Sequence, residues 1–293
     1  MPHRSGFVNI IGNPNVGKST LMNNLVGQRL SIITSKSQTT RHRIKGIVNG
    51  EDFQIVYSDT PGVLKPNYKL QESMMKFSTS ALVDADIILY VTDVVETMDK
   101  NEDFLKKVQN TDIPVLLLIN KIDLSNQDKL EKLVDRWKEK LPKAEIFPLS
   151  AKENFNVSNV FDRILELLPV APPYFDKEQM TDLPERFFVN EIIREKVLLN
   201  YEKEIPYAVE VEVEEFKNES KIINIMAVIN VERTSQKGII IGHQGKALKK
   251  VGTEARLDLE SFFGKKVFLK LYVKVAKDWR SKDSQLKGFG YNQ

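Results

Sequence analysis

From Phe7 to about Leu168, short apolar runs (FVNIIG, FQIVYS, IILYVTD, VLLLIN, IFPLS) alternate with amphipathic stretches such as KLEKLVDRWKEKL. Near-continuous apolar runs suit strands buried on both faces, and the helical periods between them suit crossovers. The pattern predicts an α/β domain over residues 1–168, a mostly parallel sheet with helices on both faces. Residues 169–184 (PVAPPYFDKEQMTDLP) hold four prolines and no useful period, which is the composition of a linker. From 185 to 293 the pattern changes to a helix (ERFFVNEIIREKVLLN), two alternating strands (YAVEVEVEEF, KIINIMAVINVE), a glycine-punctuated helix pair and a third strand (KKVFLKLYVKV). That order predicts a smaller α+β domain around an antiparallel sheet. In YAVEVEVEEF the valines fall on one face and the glutamates on the other, as in a half-buried strand.

A chain of 293 residues with 41% hydrophobic content suits two domains with real cores. The charged fraction is 28%, yet the formal net charge is only +3, so overall charge announces no nucleic-acid partner. The local distribution changes that picture, because residues 265–287 carry eight Lys or Arg against two Asp. There are no cysteines, which removes disulfides, thiolate zinc sites and cysteine nucleophiles together and fits a reducing cytosol. Any metal chemistry must then use oxygen ligands. No signal-like start and no apolar run of about 18 residues occurs, so a soluble, cytoplasmic protein is expected.

The strand FVNIIG runs into GNPNVGKST, which matches G-x-x-x-x-G-K-[ST] from Gly12 to Ser19 and leads into the helical LMNNLVG. In this loop of Gly12, Asn13, Pro14, Asn15, Val16 and Gly17 the glycines let the backbone wrap phosphates, and the helix N-terminus favours their charge. Lys18 reaches the outer phosphates, Ser19 ligates magnesium, and Thr20 continues the motif. The loop by itself does not separate ATP from GTP.

The run VLLLIN ends in Asn120-Lys121-Ile122-Asp123, and the carboxyl end of a strand is where an open α/β sheet binds ligands. Asp123 can accept hydrogen bonds from N1–H and the 2-amino group of guanine, which adenine does not offer in that arrangement. Asn120 fixes the loop, and the stem of Lys121 lies along the base. After IFPLS, Ser150-Ala151-Lys152 brings a backbone N–H toward the guanine oxygen. Between these motifs, FQIVYS leads to Asp59-Thr60-Pro61-Gly62, where Asp59 can hold magnesium through water and the Gly62 N–H can meet a γ-phosphate. The polar segment SKSQTTRHRIKG carries Thr39 and Thr40, and of the two Thr40 is expected to cap magnesium when GTP is bound.

The set GNPNVGKS, QTTRHR, DTPG, NKID and SAK resembles the bacterial Era family of translation-factor-class GTPases, nearly end to end, with QTTRHR the discriminating piece. The resemblance implies GTP hydrolysis with Mg2+, Thr40 and Asp59 as switch residues, and Lys18 and Gly62 stabilising charge. The residue after DTPG is Val63, where Ras-like enzymes place a water-orienting glutamine, so slow intrinsic turnover is expected. Asn15 is similar to an asparagine with which related GTPases bind K+ beside the phosphates; it can equally stabilise its own loop. Two rivals stand beside the switch reading. One is an RNA-binding adaptor using guanine nucleotide as a structural ligand, for which Val63 argues, and the other is a P-loop kinase, against which NKID argues.

In the C-terminal part, GIIIGHQG holds Gly242-x-x-Gly245, with His243 and Gln244 between the glycines. Such a break between helices lets a nucleic-acid backbone approach, as in KH modules that hold about four nucleotides. The expected contacts are Gly238, Ile241, Gly242, His243, Gln244, Gly245, Lys246, Lys249 and Lys250. The resemblance implies a type II KH domain that binds the 3′ end of 16S ribosomal RNA during assembly of the 30S subunit. It departs from the common KH pattern in lacking a basic residue between the glycines. VFLKLYVKV reads as a third strand with lysines on its solvent face. The following KDWRSKDSQLKGFGY, with Trp279 and Tyr291 among positive charges, reads as a candidate for base stacking, or for peripheral association with an anionic membrane surface. A monomer is expected.

Overall fold

A computed structural model describes residues 2–96 and 101–291. The chain divides into two units, with the change at Asp182–Leu183. The first contains β1 (Arg4–Gly12), α1 (Lys18–Val26), β2 (Ile44–Asn49), β3 (Phe53–Asp59), α2 (Lys69–Ser80), β4 (Ile87–Asp93), α3 (Glu102–Gln109), β5 (Val115–Asn120), α4 (Gln127–Lys140), β6 (Glu145–Pro148) and α5 (Val157–Leu167). Its sheet runs β2-β3-β1-β4-β5-β6, parallel throughout except for the antiparallel β2–β3 pair. β4 is buried along its whole length, which is why the central strands read as unbroken apolar runs. The strand order reverses about β1, flanked by β3 and β4, and open α/β sheets bind ligands at such a switch point, beyond the strands' carboxyl ends.

Hydrophobic pattern alone does not announce β2. It is an edge strand in which only part of the residues are buried, and it follows directly on the polar SKSQTTRHR segment. The proline-rich residues 169–182, linker-like in composition, belong to the first unit. Gln54, fully buried, takes the place of a strand partner: its Oε1 accepts from the N–H groups of Tyr174 (2.7 Å) and Phe175 (2.9 Å), and its Nε2 donates to the Phe175 carbonyl at 2.8 Å. The Tyr174 ring lies 4.8 Å from that of Phe7, and Ile47 N–H donates to Met180 O at 2.8 Å. A segment held by side chains needs no period of its own.

The second unit contains α6 (Glu185–Asn200), β7 (Glu210–Asn218), β8 (Ile222–Val231), α7 (Thr234–Ile241), α8 (Lys246–Phe263), β9 (Lys266–Val275) and α9 (Asp283–Gly288). Its sheet order is β7-β8-β9. The β7–β8 hairpin is antiparallel, but β8 and β9 are parallel, which corrects the expectation of an antiparallel sheet. The intervening helix pair is a long crossover, and a crossover returns the chain in the same direction. One face of the sheet packs on α6, α7 and α8 through Val211, Ile225, Ile229, Val251, Leu259 and their neighbours.

The basic C-terminal stretch is folded rather than free. Trp279 is wholly buried and Tyr291 only 3% exposed; the indole N–H donates to Ala208 O at 3.0 Å and the Tyr291 hydroxyl to Glu210 at 2.7 Å. These two rings are therefore core, not stacking surface, because both have apolar bodies and a polar tip that finds a partner inside the unit. Truncating a buried Trp costs about 3–5 kcal/mol. Trp279→Ala is expected to speed hydrogen exchange of the β7 amides by at least about a hundredfold while leaving the β1 amides protected, and unchanged β7 protection would remove the residue from the core.

Candidate nucleotide site and nucleic-acid interface

β1 stops at Gly12 and α1 starts at Lys18, so residues 13–17 turn between a central strand and a helix N-terminus. Asn15 and Gly17 adopt left-handed backbone, with φ of 65° and 95°, the kind of turn that curls successive N–H groups into an anion-binding concavity. At Gly17 a Cβ would lie 2.2 Å from Asn120 Nδ2, so the position needs glycine for space as well as for conformation. A cavity of about 380 Å³ opens over the turn, and Pro14, Asn15, Gly17, Lys18, Ser19, Thr20, Thr40, Gly62 and Lys121 all line it.

Lys18 is buried, and its Nζ donates to the carbonyls of Gly12 (3.0 Å) and Asn13 (2.7 Å). Burial lowers its pKa to about 8, against the pull of Asp59 and Glu96, which favour the charged form. An anion in the cavity would supply the counter-charge that burial withholds. Beside it three oxygen donors crowd together: Ser19 Oγ lies 2.7 Å from Asp59 Oδ2 and 2.9 Å from Thr40 Oγ1, and Thr40 Oγ1 lies 3.3 Å from the same carboxylate oxygen. The other oxygen, Asp59 Oδ1, is buried without a hydrogen-bond partner. Burial holds the Asp59 pKa above the usual carboxylate range, only partly offset by Lys18 and the hydroxyls of Ser19, Ser31 and Thr40. Two hydroxyls beside a carboxylate with one unpartnered oxygen fit a hard divalent cation such as Mg2+, which these three residues would hold. It is Thr40 that reaches this cluster; Thr39 instead donates to Lys36 O at 2.6 Å.

The Asp59-Thr60-Pro61-Gly62 segment is fastened to the phosphate turn from below. The Thr60 hydroxyl donates to Ile10 O and the Ser78 hydroxyl to Pro61 O, both at 2.8 Å, and Val63 N–H donates to Gly12 O at 3.0 Å. The Val63 side chain packs into the core with Ile11, Ile88 and Phe104, so no side chain from this position faces the cavity.

At the other end of the turn the residues expected to read guanine converge. Asn120, 2% exposed, donates to Val16 O at 2.8 Å and accepts from Ala151 N–H at 2.9 Å. One amide thus joins the phosphate turn, the end of β5 and the Ser150–Lys152 loop. Asp123 is exposed, with Oδ1 held by the Ser150 hydroxyl at 2.6 Å, which aims the carboxylate and leaves Oδ2 to accept from a ligand. Lys121 Nζ donates to Asn15 O at 2.5 Å and to Asp93 Oδ2 at 2.6 Å, laying its stem across the site. Lys152 is exposed and paired with Glu153 at 3.1 Å. Asp93, Glu96 and Asn101 escaped the sequence reading. Glu96 accepts from the Asn13 amide at 2.8 Å, and Asn101 donates to Asn13 Oδ1 (2.7 Å) and Val63 O (2.8 Å). The position of Asp93 at the carboxyl end of β4 was the one available signal.

In the second unit, α7 ends at Ile241 and α8 starts at Lys246, with Gly242, Gln244 and Gly245 all at positive φ between them. A Cβ at Gly242 would lie 2.6 Å from that of Ala247, so the two helices meet too closely for any other residue. Gly238, His243, Gln244, Lys246, Lys249 and Lys250 are exposed around this turn, at the positive end of α8. Ile241 packs instead against the core, and Ile239, 49% exposed, is the apolar side chain presented outward. The difference follows from helical geometry, in which residues two apart lie on nearly opposite faces.

Two family models match the chain, one described as "50S ribosome-binding GTPase" over residues 7–121 and one described as "KH domain" over residues 204–280. GTPase Era of Staphylococcus haemolyticus (strain JCSC1435) is 43% identical over 291 residues, covering 99% of this chain and 97% of that one. Among solved structures, a crystal structure of Era in complex with MgGDPNP and nucleotides 1506–1542 of 16S ribosomal RNA superposes with a TM-score of 0.95 at 37% identity, covering 99% of this chain and 100% of that one. A tyrosine-to-alanine variant of Aquifex aeolicus Era bound to GDP.AlF4- gives the same TM-score, identity and coverage.

The buried carboxylate yields a direct test. A raised pKa means the folded state favours the neutral acid, so ionised Asp59 costs stability at neutral pH. In nucleotide-free protein with chelator, Asp59→Asn is expected to raise Tm by a few degrees, and added Mg2+, which stabilises the parent, should leave the variant unmoved. A variant that melts below the parent in chelator would overturn this account of the cluster.

Proposed function

The chain belongs to the Era family of GTPases, and from that premise we propose that it is a nucleotide-operated switch whose second unit binds the 3′ end of 16S ribosomal RNA during assembly of the 30S subunit. As a member of that family it hydrolyses GTP to GDP and phosphate, so the reading as an adaptor with guanine nucleotide as a mere structural ligand falls away. The observation that carries the switch is Thr40 beside Ser19 and Asp59. A residue of the polar loop shares oxygen donors with the phosphate turn, so the order of that loop depends on what the turn holds. When bound, Mg2+ supplies neutralisation of charge between the outer phosphates. Lys18 and the backbone N–H groups of the turn and of Gly62 hold the phosphoryl oxygens, while Asp123, aimed by Ser150, selects guanine.

Because Val63 is packed into the core, water must be placed and charge stabilised by something other than a side chain there. Asn15 is exposed and its amide N–H donates to Ser35 O at 3.2 Å, which supports the loop-stabilising role. Its Oδ1 is left over as a hard-cation ligand beside the phosphates, in keeping with a bound K+. Turnover in potassium is expected to exceed turnover in sodium at equal ionic strength by tenfold or more, and equal rates would eliminate the ion.

RNA recognition rests on the exposed G-x-x-G turn with Lys246, Lys249 and Lys250 beside it, and on the 16S ribosomal RNA segment held by the related Era. The reading as a membrane-surface protein has little to stand on once Trp279 and Tyr291 are core residues; no helix among the described residues is long and apolar enough to cross a membrane. Crosslinking of the full chain to cellular RNA, with GTP analogue or GDP bound, is expected to recover a single 16S 3′ region in the GTP state. His243→Asp combined with Gln244→Asp should reduce that recovery at least tenfold, and recovery unaffected by either change would refute the assignment.

A further inference from the structure

The stacking surface expected at the buried C-terminal tail has a counterpart elsewhere. Along β9, residues 266, 268, 270, 272 and 274 alternate with core positions Val267, Leu269, Leu271 and Val273, which pack under the helices. The face turned away from the helices therefore reads Lys266, Phe268, Lys270, Tyr272, Lys274. Phe268 is 52% exposed and Tyr272 43% exposed. Phe268 and Lys270 also line an open depression of about 260 Å³ with Glu215, Lys217, Glu219, Asn224 and Met226.

An edge strand often carries lysines merely to discourage edge-to-edge pairing, but that role gives no reason to hold two large rings in solvent between them. Successive same-face residues on a strand are about 6.6 Å apart, comparable with the spacing of phosphates in an extended single strand. Lysines interleaved with rings at that spacing can meet backbone charge and base faces in alternation. Lys266 and Lys274 have carboxylate neighbours, Glu260 at 3.8 Å and Glu214 at 2.5 Å, in exposed pairs that hold weakly. Of the two carboxylates in the depression, Glu215 is paired with Lys217 at 2.6 Å, so Lys270 is the cation there with no ion-pair partner among the described residues.

We propose that the outer face of β9 is a second track for single-stranded RNA, on which Phe268 and Tyr272 stack bases and Lys270 and its neighbours hold phosphates, separate from the G-x-x-G turn. It rests on the reading of the second unit as an RNA binder and extends the footprint beyond about four nucleotides.

The test uses the full chain and two fluorescent probes, oligouridylate of 4 and of 12 nucleotides, followed by anisotropy. Phe268→Ala combined with Tyr272→Ala is expected to weaken the 12-mer by at least tenfold, since base–aromatic stacking contributes about that much per ring, and to leave the 4-mer within twofold. Phe268→Tyr combined with Tyr272→Phe keeps both rings and should retain the parent's affinity. Lys270→Gln should lower the salt slope for the 12-mer by about 0.7. Unchanged 12-mer binding after loss of both rings, or lost binding when the rings are only exchanged, overturns the track. The His243→Asp, Gln244→Asp variant separates the two ideas: if it spares the 4-mer while ring loss still weakens the 12-mer, the G-x-x-G assignment fails and the track stands. A parent that binds neither probe sinks both.

Discussion

The first unit is organised around one buried side-chain amide. Asn120 closes β5, donates to the carbonyl of Val16 in the phosphate turn and accepts from the N–H of Ala151 in the loop after β6. Three loops that leave three different strands are thereby held in one geometry without a ligand. An amide is suited to this because it donates and accepts from the same rigid plane, and burial makes either bond expensive to lose. Gly17 belongs to the same constraint, since the amide occupies the space where a side chain would stand.

Against that rigid frame the Ser19, Thr40 and Asp59 cluster is hydrogen-bonded within itself except at one carboxylate oxygen. Asp59 is wholly buried, one of its oxygens has no hydrogen bond and its pKa is pushed up by desolvation. Lys18 is buried as well and pulled toward neutrality. Both groups would regain their charge-stabilising partners from a metal and polyphosphate, so ligand binding is coupled to relief of a local penalty. Because Thr40 comes from the polar loop between α1 and β2, that loop shares in the relief. One residue of that loop thereby joins a site otherwise built from the phosphate turn and the end of β3.

The second unit solves a different problem. Its three-stranded sheet covers one face with α6, α7 and α8, and the C-terminal segment folds back so that Trp279 reaches Ala208 and Tyr291 reaches Glu210. Aromatic rings with a polar tip serve as anchors for a segment too short to build a core of its own. What remains outward is polar backbone at the glycine turn and the alternating lysines and rings of β9.

Motif order, strand-like apolar runs and helical periods were legible from the residues alone, because each rests on local geometry: Gly12 to Ser19 after a strand, Asn120 to Asp123 at another strand's end, Gly242 and Gly245 between helices. The choice of Thr40 over its neighbour, the joining role of Asn120, and the parts played by Asp93, Glu96 and Asn101 depend on which strand ends lie side by side, and chain order does not state that. The same holds for β2, whose partner is an edge, for residues 169–182, whose partner is Gln54, and for β9, whose direction is set by a crossover. Exposure was the least legible quantity. Trp279 and Phe268 both sit among lysines in the sequence, and only the packing of the tail and the alternation of β9 decide that the first is core and the second faces solvent.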